Sequence, residues 1–174
     1  MKKRHERILS RRMAVQVLYQ SEITGVPAWE IADKGDALPE GGTLPPYAIE
    51  LLRGVAAHRV RIDKLLDEAS SNWSLERMPL VDRSIMRMAV YEMLHETDVP
   101  VSVCINEAVE LAKEFGGEDD SSRFVNGVLG RIARDQGLSD DVPEVDEDLS
   151  LHRDVMPEGV IAAAEEEPSS DDEQ

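Results

Sequence analysis

VSVCINEAVELAKEFGGEDDSSRFVNGVL, residues 101–129, decides how this chain folds. The stretch reads as two helices meeting at an acidic, serine-rich elbow, with Phe124 placed where the second helix starts. Ser102 is expected to cap the first helix, which runs to Phe115 and stops at Gly116 and Gly117. Ser121 or Ser122 is expected to cap the second, which runs from Arg123 to about Gln136.

Helical periodicity continues upstream. In Val81–Leu94, VDRSIMRMAVYEML, apolar positions such as Ile85, Met88, Ala89 and Met93 are dense enough to predict burial on more than one side, hence a central helix ending near His95. Asp82, Arg83 and Arg87 are then expected to reach an exposed rim. Ser74 is a plausible cap, and Pro79 stands near the first position of that helix, where its missing N–H costs little. Pro46 to Ala69 places Ile49, Leu52, Val55, Ile62, Leu65 and Leu66 largely on one face, with Arg53, Arg59, Arg61 and Lys64 mostly off it. A first helix runs from about His5 to Thr24 and contains RRMAVQVLYQ at Arg11–Gln20; Gly25 serves as its C-terminal cap, with Pro27 beyond. Residues 33–46 hold three prolines and three glycines without periodicity and read as a mobile loop. Alternating β-branched segments and hairpin turns are missing, so no strand is expected.

Charge is distributed unevenly. The chain of 174 residues has 19 Lys+Arg against 36 Asp+Glu, a net charge of −17, which taken as an average argues against a nucleic-acid partner. Residues 137–174, however, hold 14 of the acidic side chains and only Arg153 as a basic one, so the remainder is near −4. The first twelve residues carry +5 from Lys2, Lys3, Arg4, Arg7, Arg11 and Arg12 against Glu6. This predicts one domain over 1–136 and an acidic, disordered tail over 137–174. Cys104 is the only cysteine, which rules out an internal disulfide, and no Cys/His cluster has zinc spacing. No apolar run approaches a membrane span and no signal-peptide core is evident, so a cytoplasmic location without membrane contact is expected.

No phosphate-cradling glycine loop, nucleophile motif or metal set is present, so neither catalysis nor a cofactor is expected. Single-stranded RNA binding needs a basic track for phosphates and an exposed π-face for an unstacked base. Lys2, Lys3, Arg4, Arg7 and Arg11 offer the track, and Phe124 beside Arg123 offers the face. By residue type alone the basic stretch reads equally as a solvated terminus, and Phe124 reads as core packing before it reads as a stacking face. Asn106 and Glu107 read as structural, with a buried asparagine tying helix ends together, and Gly127 as a point of close helix contact.

The three stretches quoted above, in the order they take from Arg11 to Leu129, resemble the NusB family, over roughly residues 1–136. The resemblance implies an all-α, NusB-like helical bundle of about six to seven helices, with the acidic tail outside the pattern. It implies a non-enzymatic transcription antitermination factor that binds the boxA element, a single-stranded RNA of nascent ribosomal-RNA transcripts. The partner would be NusE, a small-subunit ribosomal protein, and the pair would join the antitermination complex on RNA polymerase. Carried over by motif, Arg11 and Tyr19 belong to the RNA-proximal first helix. Arg123 and Phe124 match the family's basic–aromatic pair, with Phe124 stacking on a base. Asp82, Arg83 and Asp119 fall on the NusE side. Homodimers occur in the family, and two alternatives stay open: an accessory domain such as precedes certain ribosomal-RNA cytosine methyltransferases, or a dimeric interaction domain without RNA binding of its own. Two departures stand out. The elbow is about one residue longer than usual, and Gly130 replaces a common acidic residue, which predicts a shortened or bent last helix.

Overall fold

The computed structural model describes residues 2–34, 42–71, 73–116 and 120–138. Among them are six helices and no strand: α1 Lys2–Thr24, α2 Ala28–Asp33, α3 Pro46–Ala69, α4 Leu80–His95, α5 Val101–Phe115 and α6 Ser121–Asp135, with a 3-10 turn at Leu75–Arg77 before α4. The short α2 breaks what the sequence left unassigned after Gly25. The expected mobility of the 33–46 loop falls largely, and the disordered tail almost wholly, outside the described residues. No described helix is long and apolar enough to cross a membrane.

Four of the six described helix starts are set by proline. Pro27, Pro45, Pro79 and Pro100 each precede a helix with ψ between 135° and 149°, so the ring fixes φ while the carbonyl accepts the first helical N–H bonds. The serine caps expected from sequence give way to this device. Ser102 lies inside α5, and Ser74, ahead of the 3-10 turn, makes no side-chain cap bond. Ser121 begins α6 but spends its hydroxyl on Asp82 Oδ2, at 2.9 Å. Gly25 takes a φ of +70° after α1, the left-handed cap that its sequence position predicts. Gly130 does not end the last helix: it is buried inside α6, which continues to Asp135.

α4 is the centre of the bundle, packed against α1, α3, α5 and α6. Ile85, Met86, Met88, Ala89 and Val90 are fully buried, and each large apolar side chain so covered contributes about 1.5–3 kcal/mol. Gly54 of α3 lets this packing close, because a Cβ there would overlap the Tyr91 ring. The rim expected for the charged residues of α4 does not exist. Asp82 is 2% exposed and Arg87 4%, since α4 has neighbours on every side and its polar residues must find partners inside. Arg87 binds Asp63 of α3 at 2.7 and 3.0 Å and Glu22 of α1 at 3.0 Å. Arg59 also bridges Asp63 and Glu22, at 2.9 Å each, and Arg83 pairs with Glu22. Burial alone would raise the Glu22 carboxyl, but the charges of Arg87 and Arg83 and the bond from Arg59 outweigh it and hold its pKa below the usual range.

A second buried network joins four helices. Glu92 of α4 has no solvent exposure and accepts two bonds from Arg11 Nε of α1, at 2.8 and 3.0 Å, and one from the Tyr47 hydroxyl of α3. Cys104 of α5 lies against the same carboxylate, and burial with that charge pushes its thiol pKa up. The four elements therefore share one charged anchor, and a shifted register would leave it unpaired.

Candidate nucleic-acid interface

The N-terminal half of α1 and the start of α5 enclose an open groove of about 610 Å³. Its walls are Lys3, Arg4 and Arg7 on one side and Val103, Asn106 and Glu107 on the other, with Asp98 and Pro100 at the end. Helical spacing brings Lys3, Arg7 and Arg11 to one face, at steps of four residues. The Asp98 carboxylate accepts from Lys3 Nζ at 3.1 Å and from Arg7 at 2.6 Å, and those two bonds hold its pKa below the usual value. The Arg7 guanidinium lies over the Tyr47 ring, 4.8 Å from its centre, so its plane is stacked as well as paired.

Arg11 departs from the exposed track expected of it. It forms the floor of the groove and is 3% exposed, because Glu92 holds its guanidinium inside the bundle. Burial lowers its pKa, but the hydrogen bond and charge of Glu92 more than reverse this, so it stays above the usual value. Asn106 departs in the opposite direction. It is exposed on the groove wall and not buried, with Glu107 half-buried next to it at 3.9 Å from Arg11. The side chain of Lys2 and all of Asp119 fall outside the described residues.

Beyond the groove the surface continues through Arg12, which pairs with Glu114 at 2.8 Å and lies over the Phe115 ring at 5.2 Å. Tyr19 is seven residues further on, two turns along the same helix face, and is 39% exposed. From Phe115 the chain passes the elbow into α6, where Arg123 is exposed, its side chain at 67%, and Phe124 is half-buried against the core. The Phe124 ring meets the exposed ring of Trp73 at 6.1 Å. The expected residues thus divide into three groups. Lys3, Arg4, Arg7, Tyr19, Arg123 and Phe124 present polar or aromatic surface, Arg11 and Asp82 are interior, and Arg83 is held by Glu22 and by its bond to the Leu75 carbonyl at 3.0 Å. Sequence reading missed Asp98, which it did not single out, and Trp73, which no local pattern connects to Phe124. Among the described residues no group of three or more His, Cys, Asp or Glu could hold a metal.

Comparison with known proteins agrees with this architecture. Residues 9–134 match the model of the NusB family. A curated relative, the transcription antitermination protein NusB of Rubrobacter xylanophilus, is 49% identical over 120 residues, which are 69% of this chain and 84% of the relative. Among solved structures, T. maritima NusB is 35% identical, with a TM-score of 0.65 over 74% of this chain and 90% of its own. A structure of the antitermination factors NusB and NusE with double-stranded RNA is 24% identical and shares the fold, at a TM-score of 0.65 over 75% of this chain and 98% of that one. With the proline-started helices, the central α4 and a family match that spans nearly the whole bundle, the chain belongs to the NusB family.

Proposed function

We propose that the chain is an antitermination factor that binds boxA single-stranded RNA of nascent ribosomal-RNA transcripts together with NusE, as part of the antitermination complex on RNA polymerase. One observation carries the reading: a basic groove along α1 and a basic–aromatic pair at the start of α6, with Arg123 exposed and Phe124 half-buried, occur on an otherwise acidic chain. Lys2, Lys3, Arg4 and Arg7 would take phosphates, Tyr19 and Phe124 would meet bases, and Arg123 would take the phosphate beside the stacked base. Arg11 would serve from beneath, holding α1 so that Lys3 and Arg7 keep their spacing. Asp82 and Arg83 fix the first turn of α4 to α6 and α1, and together with Asp119 they would mark the NusE side. The mechanism is assembly without catalysis: RNA and NusE contacts are made together, and each raises the effective affinity of the other.

The test is boxA RNA binding with and without NusE across a range of salt. Phe124→Ala is expected to lose about 1–3 kcal/mol of RNA affinity while its helical circular dichroism is kept. NusE is expected to tighten binding, and affinity is expected to fall steeply with salt. A chain whose binding ignores both Phe124 and salt would refute the proposal.

A further inference from the structure

Trp73 is 48% exposed, although tryptophan is highly buried on average. Its place is built into the fold. The turn after α3 closes when Trp73 N–H donates to the Ser70 carbonyl at 3.0 Å and the Ser70 hydroxyl donates to the Trp73 carbonyl at 2.8 Å. Ser71 within it has a φ of +30°, a conformation that side-chain-bearing residues rarely adopt and that the surroundings must hold. Arg131 of α6 supplies that hold by donating to the Ala69 carbonyl at 3.3 Å and to the Ser71 hydroxyl. Phe124, Val128 and Arg131 are four and then three residues apart, so they form one stripe of α6. The helix that presents Phe124 therefore also fixes the turn that presents Trp73. The two rings, with centres 6.1 Å apart and tilted by 49°, pack against each other, so the half-exposed face of Trp73 lies beside Phe124.

We infer that Trp73 is a second base-stacking residue of the RNA interface, receiving an unpaired nucleobase next to the one that stacks on Phe124. The inference rests on the RNA-binding reading above and extends it to a residue which that reading leaves out. Charge favours a nucleobase over a protein side chain as the occupant. α6 carries Arg123, Arg131 and Arg134 against Asp135, a basic helix in a chain of −17. The Arg123–Asp120 pair is exposed and long, at 3.9 Å, so that guanidinium can exchange a weak partner for phosphate while Arg131 stays on the turn. A π-face is common to all four bases, so this contact would add affinity without demanding sequence.

The experiment uses the full chain and boxA-type RNA in which each nucleotide in turn is made abasic. With unmodified chain, two positions are expected to lose affinity when the base is removed. Trp73→Ala is expected to bind intact RNA about 5- to 150-fold more weakly, the range for one stack, and to become insensitive to base removal at one of the two positions. Phe124→Ala is expected to become insensitive at the other, and Trp73→Phe to keep most of the affinity. In Trp29→Phe, where Trp73 is the remaining tryptophan, bound RNA is expected to quench the fluorescence, a readout that a purely structural role would not give. If Trp73→Ala keeps both sensitivities while Phe124→Ala loses one, the interface stands and Trp73 only supports packing. Should Trp73→Ala weaken NusE binding alone, the Trp73 face is a protein-docking surface and the inference fails. Loss of helical circular dichroism in Trp73→Ala leaves the decision to the fluorescence, and an unquenched signal at saturating RNA overturns it. RNA binding indifferent to Phe124 and Trp73 alike removes the interface and this inference together.

Discussion

Replacing Glu92 with leucine, a side chain of similar volume, should strand a charge inside the bundle. Arg11 is 3% exposed and would lose both bonds from Nε, keeping only Glu107 at 3.9 Å. Its guanidinium cannot shed its proton to escape. A buried charge without its partner costs about 3–5 kcal/mol, and the Tyr47 hydroxyl left without its acceptor adds about 1–3 kcal/mol. The two overlap, so a loss of about 4–6 kcal/mol is expected, a large share of the roughly 5–15 kcal/mol that stabilises a domain. At about 3–5 °C per kcal/mol for a bundle of this size, melting should fall by about 12–30 °C. The double variant Arg11→Met/Glu92→Leu removes the stranded charge and fills its space with apolar atoms, an exchange that is often neutral. The Tyr47 hydroxyl and, as a weaker donor, the Cys104 thiol then lack their partner, so the double variant should lie within about 1–3 kcal/mol of the parent. Urea and thermal unfolding followed by helical circular dichroism measure both. A Glu92→Leu variant as stable as the parent would mean that Arg11 reaches water through the groove floor and that the pair is not an anchor. A double variant no better than the single one would show that stranded charge is not the cause. The double variant also decides how Arg11 serves RNA: if it acts by holding α1, RNA affinity survives, and if it touches phosphate directly, affinity falls.

Asp98→Asn should tighten RNA binding several-fold at low salt, because Lys3 and Arg7 lose the carboxylate that competes with phosphate, and the gain should shrink as salt rises; an unchanged affinity would show that the two cations do not meet RNA. Asp82→Lys should destabilise the fold by about 3–5 kcal/mol in a urea melt, since it places an unmatched charge at a site 2% exposed and removes the acceptor of Ser121. A variant of normal stability would return Asp82 to the surface and make it a direct partner contact. The His95 pKa is lowered by burial, then by His58 and Arg61, so below about pH 6.5 the unfolded chain takes up a proton that the folded one resists. Stability should therefore be fully present above that value and decline as pH falls through it towards the folded pKa. His95→Gln should flatten this slope in urea midpoints measured against pH, and an unchanged slope would assign it to other groups.

Periodicity in the sequence determined most of the helices, because an apolar face of three- and four-residue steps can be covered only by a partner helix, and the density of apolar residues in Val81–Leu94 already marked α4 as the centre. The exposed charges of Lys3, Arg4 and Arg123 were legible for a related reason: local charge survives into the fold when nothing nearby covers it. What a residue faces across the bundle was not legible. Arg11 and Arg7 lie one helical turn apart and look equivalent in sequence, yet one is drawn inward by Glu92 and the other rests on Tyr47 and Asp98. Asp82 and Arg87 read as rim charges until four neighbouring helices close around α4. Asn106 read as buried until α5 turned it to the groove. Trp73 and Phe124 are about fifty residues apart and share no local pattern, so only the crossing of α6 over the turn after α3 brings their rings together. Helix formation depends on neighbours a few residues away, whereas burial, ion pairing and stacking depend on which helices pack side by side, and that is decided only when the whole core assembles.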